Sequence, residues 1–122
     1  LGYVDEIDKA WLYLNADAFV SPSLTEGFGI PALDACSLGM HTILSKIPSH
    51  EEIYQKIKNN SKIKLIPANN NELWIRNMNL ILDHKNKLDK NEKQNRLISY
   101  ENNIKYFNIT FTNVLKNAII KK

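Results

Sequence analysis

A short segment that contains two glycines carries the residues best suited to chemistry. Gly27 and Gly29 stand just before a predicted helix start at Pro31. Glycines leave room for a ligand beside the backbone, and the first helical turn has N–H groups without intrahelical partners. Those amides and the helix dipole favour an anion such as a diphosphate. A tight strand-to-helix turn would use the same glycines, so the pattern is weak by itself. We predict a diphosphate at the backbone of Gly27, Phe28, Gly29 and Ile30.

Two carboxylates flank this segment in a way that suits a sugar nucleotide. The negative charge of a phosphate would repel the carboxylate of Glu26 unless this side chain extends past the phosphate. It would then meet hydroxyl groups, which a sugar supplies. Asp34 follows Pro31 by about one helical turn, or roughly 5 Å along the axis, and can face a second polyol such as ribose. The alternative for Asp34 is an acid that only stabilises the helix dipole. The spacing therefore predicts a nucleoside-diphosphate sugar, with its sugar at Glu26 and its ribose at Asp34.

The elements that position these residues alternate between helical and strand-like patterns. The prediction is a helix ending near Asn15, a strand at 18–20, a helix at 31–38, a strand at 42–44, a helix at 50–58, a strand at 63–66 and a helix capped by Asn71. Short apolar runs that end at loops are typical of buried parallel strands. We therefore predict an α/β fold with a partial Rossmann-like, doubly wound parallel sheet. Ligands of such sheets bind at the carboxyl ends of the strands, where residues 21–30 lie.

Apolar residues at helical spacing predict which helix faces are buried. On the first helix they are Ile7, Ala10, Trp11 and Leu14, and on the helix after Asn71 they are Trp74, Met78, Ile81 and Leu82. Two additional C-terminal helices are predicted around Leu97, Tyr100, Ile104 and Phe107, and around Phe111, Leu115, Ala118 and Ile119. We divide the chain into a nucleotide-sugar donor-binding domain at 1–85 and C-terminal helices at 86–122, packed on or beside it. Residues 1–4 resemble the end of a strand, which predicts a fragment of a larger domain.

Composition and charge exclude several classes of protein. The 122 residues are 43% hydrophobic and 24% charged, as in a globular protein with a real core. Neither a membrane span nor a signal peptide is indicated, so we expect a cytoplasmic protein. The single cysteine, Cys36, excludes an internal disulfide and is expected to be buried on a helix. Residues 46–122 carry a net charge of +8, but their lysines alternate with asparagines and acids. This pattern predicts a solvated surface and no nucleic-acid partner, since no recognition motif accompanies it.

Three stretches resemble the C-terminal domain of glycosyltransferase family 4 in one register. They are residues 16–23, 26–35 and 49–53, with Gly39 between the last two, and the likeness runs from about residue 2 to residue 53. It includes the two acids of that family that are separated by seven residues. The resemblance implies a GT-B fold of two Rossmann-like domains, with the donor in the C-terminal one. It also implies transfer with retention at the anomeric carbon, without a metal or other cofactor.

At the matching positions the resemblance implies a role for each residue. Glu26 would contact the donor sugar and help to stabilise an oxocarbenium-like transition state, the amides of residues 27–30 would hold the diphosphate, and Asp34 would bind the ribose. The second acid is usually glutamate in the family, so Asp34 is shorter by one methylene, or roughly 1.3 Å. We therefore expect a longer or water-bridged ribose contact. Met40 and His41 stand where the family commonly has proline or a small residue, which we interpret as tolerated packing variation.

The remaining histidines receive structural interpretations. His41 is not expected to act as a catalytic base. His50 lies near the loop that approaches the nucleobase in the family, but a solvent-exposed histidine is the favoured interpretation. His84 is predicted to lie on a helix surface.

Together these observations predict a parent protein that transfers a hexose from a nucleotide sugar to a glycan or lipid-linked acceptor, as in lipopolysaccharide or capsule biosynthesis. The resemblance implies an N-terminal acceptor domain that this sequence lacks, so we expect no activity from this chain alone. Peripheral association of the parent with the inner face of the membrane is compatible with this prediction. The alternative is a non-catalytic nucleotide-sugar-binding or scaffold relic of the same fold. Nucleotide-sugar epimerases share the fold, but the loop with the paired acids fits them less well.

Overall fold

The computed structural model describes residues 2–57, 61–83 and 88–120, with side chains described as far as residue 105. Within these ranges, helices and strands alternate through three pairs, and two further helices follow. The helices are α1 (Glu6–Asn15), α2 (Ile30–Ser37), α3 (Pro48–Lys56), α4 (Asn71–Leu82) and α5 (Lys90–Ile120). The strands are β1 (Ala18–Ser21), β2 (His41–Ser45) and β3 (Ile63–Ile66). The predicted α/β class is confirmed.

The three strands form one parallel sheet in the order β1-β2-β3. Ala18 pairs with His41, and Thr42 pairs with Ile63. Because the strands are parallel, their carboxyl ends meet at one edge of the sheet. The loop from β1 to α2 and the turn from β2 to α3 therefore leave the sheet at the same edge, as the sequence predicts for the candidate ligand loop.

Helices cover both faces of this sheet. On one face, Leu44 of β2 packs with Cys36 of α2 and Ile53 of α3, and on the other, Ile43 packs with Trp74 of α4. Successive residues of a strand point to opposite faces, so a parallel strand with helices on both sides is apolar at consecutive positions. This arrangement confirms the doubly wound architecture. Cys36 is 2% exposed, so its predicted burial on a helix is also confirmed.

A third apolar cluster and one buried cation join the outer helices to this core. Tyr13 of α1 packs near Met40, and Tyr100 of α5 lies against the same cluster. Arg96 of α5 is 2% exposed, and its Nη1 donates to the carbonyl oxygens of Tyr13 and Ala16 at 3.3 and 2.6 Å. Arg96 thus binds the C-terminal carbonyls of α1, which have no intrahelical partners.

Some of the predicted helix faces and ends are wrong. Ile7 and Trp11 of α1 are 79% and 62% exposed, while Tyr13 is buried. The contacts of α1 with α5 and with the cluster around Met40 orient the helix, and the apolar residues of its own sequence do not. On α4, Trp74 is buried as predicted, but Leu82 is 68% exposed.

The C-terminal prediction is also corrected, because the two helices expected beyond residue 96 are one continuous helix, α5. Their predicted apolar positions from 106 onwards lie outside the described side chains. Residues 2–4 form no strand. Asn70 caps α4 in place of the expected Asn71, through a hydrogen bond from the amide of Leu73. Three predictions fall on residues outside the described ranges. They are the strand end at residue 1, the helix end at residue 58 and the exposed histidine at residue 84. The division at residues 85 and 86 stays a prediction.

Candidate functional site

Two serine hydroxyls bind the carboxylate of Glu26, and a histidine lies beside it. Ser23 Oγ donates a hydrogen bond to Oε1 at 2.5 Å, and Ser21 Oγ donates to the same oxygen at 3.2 Å. His50 Nε2 lies 3.5 Å from the other oxygen, Oε2. The Glu26 side chain is 25% exposed. The carboxylate is therefore fixed in orientation and still open to a ligand from solvent.

The same neighbours keep this carboxylate ionised. The hydrogen bond from Ser23 lowers the pKa of Glu26 most, and partial burial acts in the opposite direction. The hydrogen bond from Ser21 and the interaction with His50 lower the pKa of Glu26 further. Hydrogen bonds and cations that favour the charged form of an acid have this effect. At neutral pH the site thus presents an anion that can accept from sugar hydroxyls or stabilise a positive charge.

His50 belongs to this site, and its predicted exposure on the surface is wrong. Its side chain is fully buried, and Nδ1 lies 2.8 Å from the carbonyl oxygen of Ser45. The helix α3 begins at Pro48 instead of residue 50, so His50 lies in its first turn, one turn before the buried Ile53. The spacing of His50 and Ile53 by three residues was the sequence signal that could have indicated a shared buried face.

Ser45 links the two loops of the site. Its hydroxyl is fully buried at the end of β2 and donates to the carbonyl oxygen of Ser23 at 2.5 Å. The backbone carbonyl of Ser45 faces His50. One residue of the central strand therefore positions both the serine and the histidine that contact Glu26.

The two glycines of the loop serve different purposes. Gly29 has a φ of +66°, in the left-handed region that favours glycine. A Cβ at this position would lie 3.0 Å from Glu26 Oε2 and 3.4 Å from Ile53 Cδ1, so a side chain would displace the carboxylate. At Gly27 a Cβ would meet no atom of the described chain within 4 Å. Gly29 is required by the fold, whereas Gly27 leaves open space beside the loop.

The start of α2 has the features of an anion site. Gly29 is the residue before the helix and offers no side-chain cap, and no other described side chain supplies one. Helix N-termini without caps leave N–H groups available to an anion. Phe28 and Ile30 are 58% and 61% exposed, and the ammonium group of Lys56 lies 5.5 Å from the centre of the Phe28 ring. A cation from α3 therefore stands beside the loop.

Asp34 lies in a separate environment, on the second turn of α2. It lines a cavity of about 400 Å³ between α1, α2 and α5, together with Lys9, Tyr13 and Tyr100. Partial burial raises the pKa of Asp34, while the charge of Lys9 acts in the opposite direction. Burial also raises the pKa of Tyr13 to about 12, and its hydroxyl donates to the carbonyl oxygen of Pro31. Asp34 lies about one helical turn beyond Ile30, so α2 connects this cavity to the loop that carries Glu26.

His41 lies at the other end of β2 from this site. Burial, and then the charge of Lys62, lower the pKa of His41. Met40 is 1% exposed and packs in the cluster around Tyr13, which confirms the interpretation of this position as packing. Within the described part of the chain, no three His, Cys, Asp or Glu side chains are grouped as metal ligands would be. None of its helices has the length and apolar character to cross a membrane.

Comparison with known proteins agrees with the expectation drawn from the loop. The family described as glycosyl transferases group 1 matches residues 1–103. The chain belongs to this family. It is also similar to the O-antigen chain mannosyltransferase B of Escherichia coli, with 45% identity over 53 residues. That match covers 43% of this chain and 14% of the relative, and no solved structure matches the chain. The match to the family of glycosyl transferases group 1 extends into α5 and includes Arg96.

Proposed function

We propose that this chain supplies the nucleotide-sugar site of a retaining hexosyltransferase. In this proposal the donor sugar lies beside Glu26, the diphosphate lies at the amides of residues 27–30, and the ribose lies at Asp34. The observation that carries the proposal is the ionised carboxylate of Glu26, which accepts hydrogen bonds from Ser21 and Ser23 beside the uncapped start of α2. An anion site and a sugar-facing anion then lie in one loop.

The chemistry follows from the charges that develop during transfer. The bond between the anomeric carbon and the diphosphate oxygen breaks, and a new bond forms to an acceptor hydroxyl on the same face of the sugar. Positive charge grows on the sugar ring, where the ionised Glu26 stabilises it, and negative charge grows on the leaving diphosphate, where the amides at the start of α2 stabilise it. The acceptor proton passes to the departing oxygen. Groups fixed in advance for both charges lower the barrier because they need no reorganisation.

The identity of the donor and the acceptor is part of the proposal. The name of the Escherichia coli relative makes mannose the first sugar to test and a growing glycan the first acceptor class. A lipid-linked acceptor would bring the cytoplasmic protein to the inner face of the membrane. We propose no metal or other cofactor, because the amides at the start of α2 supply the stabilisation that the leaving group needs.

Calorimetry on the complete protein tests the nucleotide contacts. We expect GDP-mannose or UDP-glucose to bind, and Asp34→Asn to weaken the nucleotide and its sugar alike, by about 10-fold, since both contain the ribose. Glu26→Gln should leave the nucleotide affinity nearly unchanged and lower transfer by about 100- to 1000-fold, because Glu26 contacts only the sugar and stabilises charge in the transition state. Arg76→Gln is the matched control, since Arg76 is an exposed residue of α4 far along the chain from the loop.

For Asp34→Asn, the expected changes in nucleotide affinity and in folding stability have opposite signs, so a loss of binding is not explained by unfolding. Because the folded chain raises the pKa of Asp34, ionising this acid costs stability as the pH rises through that value. Asp34→Asn should therefore leave the fold as stable or more stable at neutral pH while it weakens the nucleotide. Failure of every nucleotide and nucleotide sugar to bind would refute the proposed function. Binding without transfer in the complete protein would instead favour the non-catalytic relic.

A further inference from the structure

The contacts of His50 determine which of its nitrogens carries a proton. Nδ1 lies 2.8 Å from the backbone oxygen of Ser45, and a carbonyl oxygen can only accept. The hydroxyl of Ser45 lies 3.3 Å from the same nitrogen, but its proton is donated to the carbonyl oxygen of Ser23. Nδ1 must therefore be the donor to Ser45. This assignment depends on the carbonyl oxygens of Ser23 and Ser45 and on the hydroxyl group of Ser45.

The other nitrogen then faces the carboxylate. His50 Nε2 lies 3.5 Å from Glu26 Oε2, and within the described residues it has no hydrogen-bond partner. An ionised carboxylate only accepts, so a neutral imidazole protonated at Nδ1 would direct its lone pair at another acceptor. A proton on Nε2 as well turns this contact into an attraction between an imidazolium and a carboxylate. An attractive contact between Nε2 and Oε2 therefore requires a hydrogen on Nε2 as well as on Nδ1.

We propose that His50 is a positioning residue for Glu26: as an imidazolium it holds Oε2, while Ser23 and Ser21 hold Oε1. The inference rests on the proposed function, since it explains how the sugar-facing carboxylate keeps one orientation. His50 is fully buried, so it acts through Glu26 and has no contact with the donor.

The backbone at Gly29 confines this pair from one side. A Cβ on Gly29 would lie 3.0 Å from Glu26 Oε2 and 3.6 Å from His50 Cδ2. Ile53 Cδ1 lies 3.4 Å from the same point. Because the backbone and an apolar side chain close the space around the pair, the carboxylate has little freedom to turn away from the imidazolium.

Two amide substitutions separate the contacts of the two ring nitrogens. Asparagine can reproduce the donor at Nδ1 toward Ser45 but does not reach Glu26, whereas glutamine can place a donor near the position of Nε2. In the complete protein, we expect His50→Asn to lower kcat for transfer from GDP-mannose or UDP-glucose by about 10- to 100-fold, with the donor KM changed by less than about 3-fold. His50→Gln should retain activity within about 5-fold of the wild type. If His50 served only to bind the carbonyl of Ser45, His50→Asn would be more active than His50→Gln. That result would overturn the inference.

A double substitution tests whether His50 acts through Glu26. In a Glu26→Gln background, His50→Asn should lower the residual rate by less than about 2-fold. The effects of substitutions at two residues that act as one unit are not additive. An undiminished loss in that background would also overturn the inference. Absence of any transfer, with Glu26→Gln and the wild type indistinguishable, would refute the proposed function and not the pairing.

A titration of the Glu26 carboxyl carbon by NMR tests the pairing without activity. The interaction with His50 lowers the pKa of Glu26 in the structure, so His50→Asn should raise that pKa and His50→Gln should raise it less. Equal values in all three proteins would mean that His50 does not hold the carboxylate.

Discussion

The carboxylate of Glu26 depends on two neighbours that are close in sequence and one that is distant. Ser21 and Ser23 lie in the loop that contains Glu26, whereas His50 enters from α3. The short hydrogen bond from Ser23 has the largest effect on the pKa of Glu26. Hydrogen bonds to charged groups contribute about 1.5–3 kcal/mol, roughly twice the value for neutral pairs. Ser23 should therefore be the most sensitive of the three positions for the charge of the site.

We predict that Ser23→Ala destabilises the fold in a pH-dependent way. Because the folded pKa of Glu26 is lowered, its contribution to stability is present above the unfolded pKa and is lost as the pH falls through the folded pKa. At neutral pH, Ser23→Ala should cost about 1–2 kcal/mol, and the difference should shrink in strong acid. Urea denaturation at several pH values measures it. Ser21→Ala is the matched control and should have a smaller effect, and a pH-independent loss in Ser23→Ala would contradict the prediction.

The sequence singles out the candidate acids, whose roles stay predictions, but it does not indicate the partners that the structure gives to Glu26. Glu26 and Asp34 stand out because acids near a glycine-containing turn have few structural reasons to be there. His50 does not, because Ser49 and Glu51 beside it suggest a polar surface, and the carbonyl that accepts its proton belongs to a strand. Partners that come from another element depend on the tertiary fold, which local patterns do not contain.

At the scale of elements, the two glycines before α2 have different roles: the fold requires Gly29, and Gly27 leaves space for a ligand. Gly29 ends the loop in a left-handed conformation and lies against the Glu26 carboxylate. Gly27 has neither constraint in the structure. Only the proposed diphosphate gives a reason for glycine at position 27.

We predict opposite consequences for alanine at the two positions. Gly29→Ala should cost about 1–2 kcal/mol from the left-handed backbone alone, and more from the contact with Glu26. Gly27→Ala should leave the free energy of unfolding within about 0.5 kcal/mol or raise it, since alanine restricts the unfolded chain. It should nevertheless weaken GDP or UDP binding in calorimetry, because its methyl group enters the space of the diphosphate. Equal destabilisation by both substitutions would contradict this assignment.

The strand predictions succeed because each strand contains a short apolar run that ends at a loop. Helices cover both faces of the central strand β2, whereas β1 and β3 lie at the edges of the sheet and expose Val20 and Lys64. For α1 the pattern misleads, because Trp11 is apolar and exposed while Tyr13 is the buried residue. An amphipathic pattern identifies a helix, but the neighbours that it meets decide which side is covered.

At the scale of the whole molecule, Arg96 connects helices that are about 80 residues apart in sequence. Its burial lowers the pKa of the guanidinium group. In the described part of the chain, its Nε and Nη2 have no hydrogen-bond partners, so its position depends on two carbonyls of α1. Glu92, which pairs with Lys62, adds a second contact between α5 and the core.

We predict that Arg96→Ala loosens α5 from α1. Loss of two hydrogen bonds and a buried side chain should cost about 2–4 kcal/mol. Arg96→Met should cost less, because it fills the volume and removes a cation that is costly to bury. Hydrogen exchange of the amides of α1 and α5 in the complete protein measures the effect, with Arg76→Ala as the exposed control. Unchanged exchange in α5 of Arg96→Ala would show that other contacts hold the helix.

The overall architecture was predictable because three helix–strand alternations permit few parallel topologies. The attachment of α5 was not, since a single arginine among many surface lysines has no local signature of burial. The predicted break between two C-terminal helices failed for a related reason. The sequence between residues 104 and 111 contains neither proline nor glycine, so nothing in it ends a helix.

Because Ser45 contacts both Ser23 and His50, residues of different elements must be compatible with one another in relatives and in engineered variants. The segment from β1 to α2 looks like a module that could be exchanged among relatives to alter the donor. Two partners of its carboxylate, Ser21 and Ser23, lie inside that segment, but Ser45 and His50 lie outside it. A graft of residues 21–30 alone would transfer the acid and its serines without the residues on β2 and α3 that position Ser23 and contact Oε2, so variation at positions 23, 26, 45 and 50 should be coupled across the family.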